Sequence, residues 1–230
     1  MAVYERIWRR YGGQLTPLAW RWLVVTRYAL ADVFASRLFT AFYAVCFLPS
    51  VVGLFFIYLS HNVSLLQQLG MPQDLMNVLT SKFFMVLFSW QAIPAFLVTI
   101  IVSPSLIAAD LANNALPLYL ARPINRREYV VGKMAVLGIL LSPMTWVMGA
   151  TIFGLQAYLE GGTWWIDNYR IGLAYLIGHL TWILVISVLT LAISAWVRFK
   201  PAARGALFAI IFILAGFAQA VNGVTRSSWG

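Results

Sequence analysis

Long hydrophobic runs dominate this chain, and the polar residues are gathered between them. Five runs reach the roughly 20 apolar residues that a helix needs to cross a bilayer. They are about Leu38–Leu59, Phe83–Ala109, Met134–Leu159, Ile171–Val197 and Gly205–Asn222. The pattern predicts an all-α integral membrane protein with five transmembrane helices in one domain, residues 38–222. Pro49, Pro94, Pro104 and Pro143 fall inside the runs. Neighbouring helices can satisfy the carbonyls a proline frees, so these positions predict kinks and not breaks. Between the first two runs, "SHNVSLLQQLGMPQDLMNVLTSK" reads as two small helices parted at Gly70–Met71–Pro72. "EGGTWWIDNYR" reads as a turn with Trp164, Trp165 and Tyr169 at the membrane interface.

Residues 1–37 do not fit the spanning pattern. They are basic and broken by Gly12–Gly13 and Pro17, without the short apolar run and small residues of a cleavable signal. Within them, Thr16–Arg37 predicts a helix, with Thr16 as N-cap and Pro17 at its first position. Trp20, Trp22, Leu23, Tyr28, Leu30 and Phe34 alternate with Arg21, Arg27, Asp32 and Arg37. That segment is too charged to span. It suits a helix lying in the interface, with Trp20 and Trp22 at headgroup depth and Arg21 and Arg27 near anionic lipid. A helix packed on another protein's surface is the plainer alternative.

Composition agrees with a membrane protein. Hydrophobic residues make up 62% of the 230 and charged residues 10%, against about 25% charged in soluble domains. Mean hydropathy is +0.83. The net charge of +9 points to nucleic acid only if the basic residues form one patch, and they do not. All sixteen except Lys82, Arg170 and Arg226 lie before the first run, between the second and third, or between the fourth and fifth. By the positive-inside rule those segments face the cytoplasm. The expectation is a multi-pass protein of the cell membrane with a cytoplasmic amino terminus and no nucleic-acid partner. The single cysteine, Cys46, sits in an apolar run and reads as a packed thiol.

The segment "DLANNALPLYLARPINRREYVVGK", Asp110–Lys133, joins the second and third runs on the cytoplasmic side. Asn113 or Asn114 can cap a helix whose first turn holds Pro117, where no intrahelical amide bond is lost. "ALPLYLA" makes about two turns. Pro123 then disfavours helix at Arg122 and ends it. Asn125 and Glu128 have capping-box spacing, with Ile124 and Tyr129 in the staple positions. The loop thus predicts a short cross helix, a hard corner and a firmly started span. So short a helix is unstable alone, and Leu116, Leu118, Tyr119 and Leu120 need something to pack on.

This segment resembles the cytoplasmic loop of type-two ABC transporter permeases, the membrane subunits of ABC exporters. The matching residues are Asp110, Ala115–Leu120, Arg122–Pro123, Arg126–Tyr129 and Gly132–Lys133, and "RGALFAIIFILAGF" opens the fifth run in similar fashion. The resemblance implies that the loop carries a coupling helix that contacts a separate ATPase subunit. The contact set it implies is Asp110, Leu116, Pro117, Leu118, Tyr119 and Leu120, followed by Arg122, Pro123, Arg126, Arg127 and Glu128. It also implies two ATPase copies, a second permease subunit of the same or similar kind, export as the direction, and a lipid surround. ATP and Mg would be held by the ATPase, with no cofactor on this chain. Family members usually have six spans. A sixth is therefore expected beyond Gly230, with residues 223–230 a shortened tail.

The residues themselves offer little other chemistry. "VVGKM" has the Gly-Lys of a phosphate-binding loop without its upstream Gly or its Ser/Thr, so the chain is not expected to hydrolyse ATP. His179 is the one ionisable residue deep in a span, and Gln91 precedes Pro94 and Pro104 in the second run. Both are candidates for the wall of a translocation path. The plainer reading is hydrogen-bonded glue between helices. His61 lies at the opposite end from the basic loops, so no metal site is expected. A membrane scaffold that recruits a cytoplasmic partner is the alternative to a permease, and a membrane enzyme is a third reading.

Overall fold

A computed structural model of the chain describes Pro17, residues 20–62, 81–115, Pro117, Tyr119, and residues 124–197 and 199–227. The expected small helices between residues 63 and 80, and the expected roles of Thr16, Leu116, Leu118, Leu120, Arg122 and Pro123, lie outside the described residues. Among the described residues the fold is all α-helical, and five helical stretches are long and apolar enough to cross a membrane.

Helix α1 spans Arg21–Phe34. It starts later than the sequence suggests. The Trp20 amide donates to the Pro17 carbonyl at 3.0 Å, so Pro17 opens a preceding turn and is not the first helical residue. The chain then reverses into its next helix at Ser36, whose extended backbone and hydroxyl, accepting from the Phe39 amide at 3.3 Å, start α2, Arg37–Val45.

Helix α2 and α3, Leu48–Ser60, form the first span with a break at Cys46–Phe47. Pro49 explains the break. It has no amide hydrogen, and its ring would strike the carbonyl of Val45, four residues back. The second span is α4, Ser81–Leu106, extended by α5, Ala108–Ala112. Between them, at Ile107, the ladder is interrupted from outside. The Ala108 amide donates to Ser194 Oγ at 2.9 Å, and Ser194 Oγ donates to the Ser103 carbonyl at 3.2 Å. A side chain from the fourth span has entered the second, which is one of the recognised causes of a helix offset.

The third span begins with α6, Arg126–Ser142, passes through a π-helical turn at Pro143–Val147, and ends as α7, Met148–Glu160. The kink expected at Pro143 therefore takes the form of a π turn. Its start follows the capping-box reading: Asn125 is extended, and its amide donates to Glu128 Oε2 at 2.9 Å. Glu128→Ala is expected to fray this start at a cost of about 1 kcal/mol. Faster amide exchange confined to Arg126–Tyr129 checks it, and unchanged exchange there would show that the cap contributes nothing.

Gly161 and Gly162, at φ of 69° and 58°, turn the chain between the third and fourth spans. The fourth, α8, runs Trp164–Trp196 and takes in the segment read from sequence as a turn. At about 1.5 Å per residue its 33 residues exceed the ~30 Å hydrocarbon layer, so Trp164, Trp165 and Tyr169 begin a helix that projects from it. The fifth span, α9, is Lys200–Ser227.

The second, third and fourth spans share the core, where Ala95, Val98, Val136, Leu137, Leu140 and Leu141 are essentially fully buried. The outward residues are equally apolar, among them Phe55, Met85, Ile93, Leu184 and Phe212. A soluble protein would not expose so much apolar surface. The fifth span touches the rest near its start, through Ala203, Leu207 and a stacked Phe96–Phe208 pair. Its apolar stretch is 6% buried, against 50% for the second span.

Candidate functional site

The basic end of the bundle is where α1, the loop after the second span and the start of the third come together. The loop is reached by a tight cap. Asn114 takes φ of 51°, a left-handed conformation that asparagine tolerates better than most residues. The Ala115 amide then reaches back to the Asp110 carbonyl at 2.8 Å, and the Asn114 amide to Leu111 at 3.3 Å. This is the Schellman pair of bonds that ends a helix. The two asparagines thus close α5; they do not open the next helix, as the sequence reading has it. A new turn starts at Ala115, whose carbonyl accepts from the Tyr119 amide at 3.1 Å. Pro117 in that turn is exposed.

Beneath the turn lies a charged cluster. Lys133 Nζ is 2.8 Å from Asp110 Oδ2, with side chains 5% and 14% exposed. Tyr129 donates its hydroxyl to the same oxygen at 2.7 Å. Lys133 also stands 5.6 Å from the Tyr129 ring centre, and the Tyr119 ring packs on Tyr129 at 5.5 Å. Tyr129 and Lys133 are four residues apart, so one face of α6 presents both. The contact set expected for this loop is therefore divided. Arg126 and Arg127 are exposed with Pro117. Asp110 and Tyr119 turn inward, and the Glu128 carboxylate is occupied by the cap.

Residue 132 on the next flank of α6 meets α1. A Cβ on Gly132 would stand 2.8 Å from the Trp22 carbonyl oxygen, so only glycine permits this approach. Thr26 donates its hydroxyl to the Gly132 carbonyl at 2.8 Å, and Val25 and Thr26 are buried. Helix α1 is thus packed on the third span along one side. Its other side exposes Trp20, Arg27 and Tyr28, the tyrosine at 73%, while Arg21 and Trp22 are half-buried. The segment thus has one face on the third span and an aromatic and basic face turned away from it.

Gln91 and His179 lie elsewhere, inside the bundle. Tyr175 donates its hydroxyl to Gln91 Oε1, and Gln91 Nε2 donates to Ser50 Oγ at 2.7 Å. His179 Nδ1 is 3.1 Å from the Tyr175 carbonyl, and its ring stacks at a tilt on Phe88 at 4.1 Å. Both candidates are essentially fully buried within one chain, where they tie the first, second and fourth spans. No group of three potential metal ligands occurs among the described residues.

Sequence reasoning missed Lys133, Tyr129, Gly132 and Thr26 as partners. The signal for Lys133 was present: Asp110 and Lys133 are opposite charges at the two ends of one membrane-flanking loop.

A family model described as ABC-2 family transporter protein matches residues 60–227. The chain belongs to the ABC-2 transporter family. No curated protein and no solved structure matches it. As an ABC-2 transporter it is a multi-pass membrane permease component of an ABC transporter, and its family implies an ABC ATPase as partner. The family's component is the membrane part and not itself the ATPase. In this ABC-2 chain the match begins at the end of the first span and takes in the whole loop and charged cluster described above.

Proposed function

We propose that the chain is the permease subunit of an ATP-driven exporter, and that the basic end of the bundle faces the cytoplasm and docks on the ATPase. The observation that carries this reading is the turn from Ala115 to Tyr119. It starts from the Asn114 cap, and its Tyr119 ring packs on Tyr129 at the capped start of the third span. A turn packed on the start of a span can pass a push to it. Two ATPase subunits, each holding ATP and Mg, would sit below two permease subunits of the same or similar kind. ATP-driven closure of the ATPases favours one membrane conformation only through contacts that differ between the two states, and this turn is where such contacts would be made. In this arrangement Gln91 and His179 brace the subunit from within.

The test is copurification with the ATPase subunit from membranes. Leu118→Asp is expected to abolish it while leaving insertion intact. Arg126→Gln with Arg127→Gln is expected to retain it, because topology alone accounts for those charges. Unchanged copurification and transport with Leu118→Asp would overturn the docking role. Binding of an ATPase whose turnover moves no solute would favour the scaffold reading instead.

A further inference from the structure

Asp110 and Lys133 are two charges that the fold takes largely out of water. Such a pair is weak evidence of stability, since desolvation offsets most of its attraction, and its best attested use is to fix register. The geometry here suits that use. Lys133 and Tyr129 converge on the single oxygen Asp110 Oδ2, at 2.8 and 2.7 Å. One carboxylate is thereby held at one height along α6.

What it fixes is a loose piece. Helix α5 has five residues and is parted from α4 at Ile107, where its first amide bonds to Ser194 of the fourth span and not to its own helix. Unrestrained, the loop would hinge there. Asp110 instead joins α5 to the first two turns of α6. Tyr119, beyond the Asn114 cap, packs on the same Tyr129. We infer that Asp110, Tyr129 and Lys133 form a joint that makes α5, the docking turn and the start of α6 move as one body, so that displacement of the turn reaches the second and third spans together. The three are positioning residues, not contacts to the ATPase. This inference rests on the permease reading for its role in transport, while the joint itself is a property of the chain alone.

Two measurements test it on the full chain in lipid nanodiscs. In the first, amide exchange is followed without any partner. Lys133→Met is expected to speed exchange across Ala108–Ala115 at least tenfold, with Leu137–Leu141 unchanged and Lys133→Arg close to wild type. Wild-type exchange at Ala108–Ala115 in Lys133→Met, or an equal rise in every span, overturns the joint. In the second, the chain is assembled with the ATPase subunit and exposed to ATP with orthovanadate. The wild type is expected to show a nucleotide-dependent change in exchange at Gln156–Glu160, and at equal ATPase occupancy Asp110→Asn/Lys133→Met is expected to lose it. A response equal to wild type overturns the transmitting role. Failure of the wild-type chain to bind any ABC ATPase defeats the permease reading, and the partner-free exchange still decides the joint.

Discussion

Gly149→Ala is expected to be the most damaging methyl group that can be added to this bundle. Gly149 lies on α7 where the third and fourth spans cross, and an added Cβ would overlap the Tyr175 ring. The ring has little freedom to retreat. It packs edge-on against Phe84 and Phe88, and its hydroxyl is bonded to the buried Gln91. Overpacking of this kind costs about 1–3 kcal/mol. If Tyr175 swings out, Gln91 loses its donor, and a stranded buried acceptor costs a further ~1–3 kcal/mol. The expected result is a lower apparent Tm of the detergent-solubilised chain. The path of the damage is checked by a double-mutant cycle. In a Tyr175→Ala background, where the ring is absent, Gly149→Ala should be close to neutral. A loss as large as in the native background would mean that the ring does not transmit it.

The spans were legible in the sequence because membrane insertion imposes a requirement on composition alone: about 20 apolar residues, whatever they touch. The start of the third span was legible too, because Asn125 and Glu128 interact over three residues of chain. Local chemistry also explains the break before Pro49 and the π turn at Pro143. What could not be read was direction. Asparagine serves equally at an N-cap and in the left-handed position after a helix, so Asn113–Asn114 marked a boundary without saying which helix it belonged to. The family match bears out the resemblance carried by the loop. It does not say which loop residues face outward. Asp110 is held by Lys133 and Tyr129, and the Tyr119 ring packs on Tyr129. Those contacts join residues 10 to 23 positions apart, and Ser194 reaches Ala108 from 86 away. No periodicity encodes such pairs. Gln91 shows the limit from the other side: its residue type marked it as special, but its partners Ser50 and Tyr175 lie 41 and 84 positions away.

Gly132→Val is expected to release α1 from the third span. The obstacle is backbone, not side chain. An added Cβ would stand 2.8 Å from the Trp22 carbonyl oxygen and 3.2 Å from Val25 Cβ. A side-chain tip could rotate aside, but a carbonyl moves only if its helix moves. Moving α1 also breaks the 2.8 Å bond from Thr26 to the Gly132 carbonyl. Overpacking and a buried group left without its partner each carry about 1–3 kcal/mol. These costs act against the remaining contact of α1, in which Val25 is buried and Ala29, Leu30 and Val33 pack on the core. Detachment can be read directly, because Val25 is buried beside Gly132. A Val25→Cys reporter, in a chain whose own thiol is removed by Cys46→Ala, should react slowly with a membrane-impermeant maleimide. It should react at least tenfold faster once Gly132→Val is added, with Gly132→Ala between the two. Thr26→Val keeps the shape and removes only the hydrogen bond, so its effect on labelling should be smaller than that of Gly132→Val. If Gly132→Val leaves the labelling rate unchanged, close backbone approach is not what holds α1. If Thr26→Val releases the helix as fully as Gly132→Val does, the hydrogen bond and not the glycine is the fastening. Because Gly132 adjoins Lys133, release of α1 with normal exchange at Ala108–Ala115 would show that the two fastenings on α6 act independently: one holds α1 and the other holds α5.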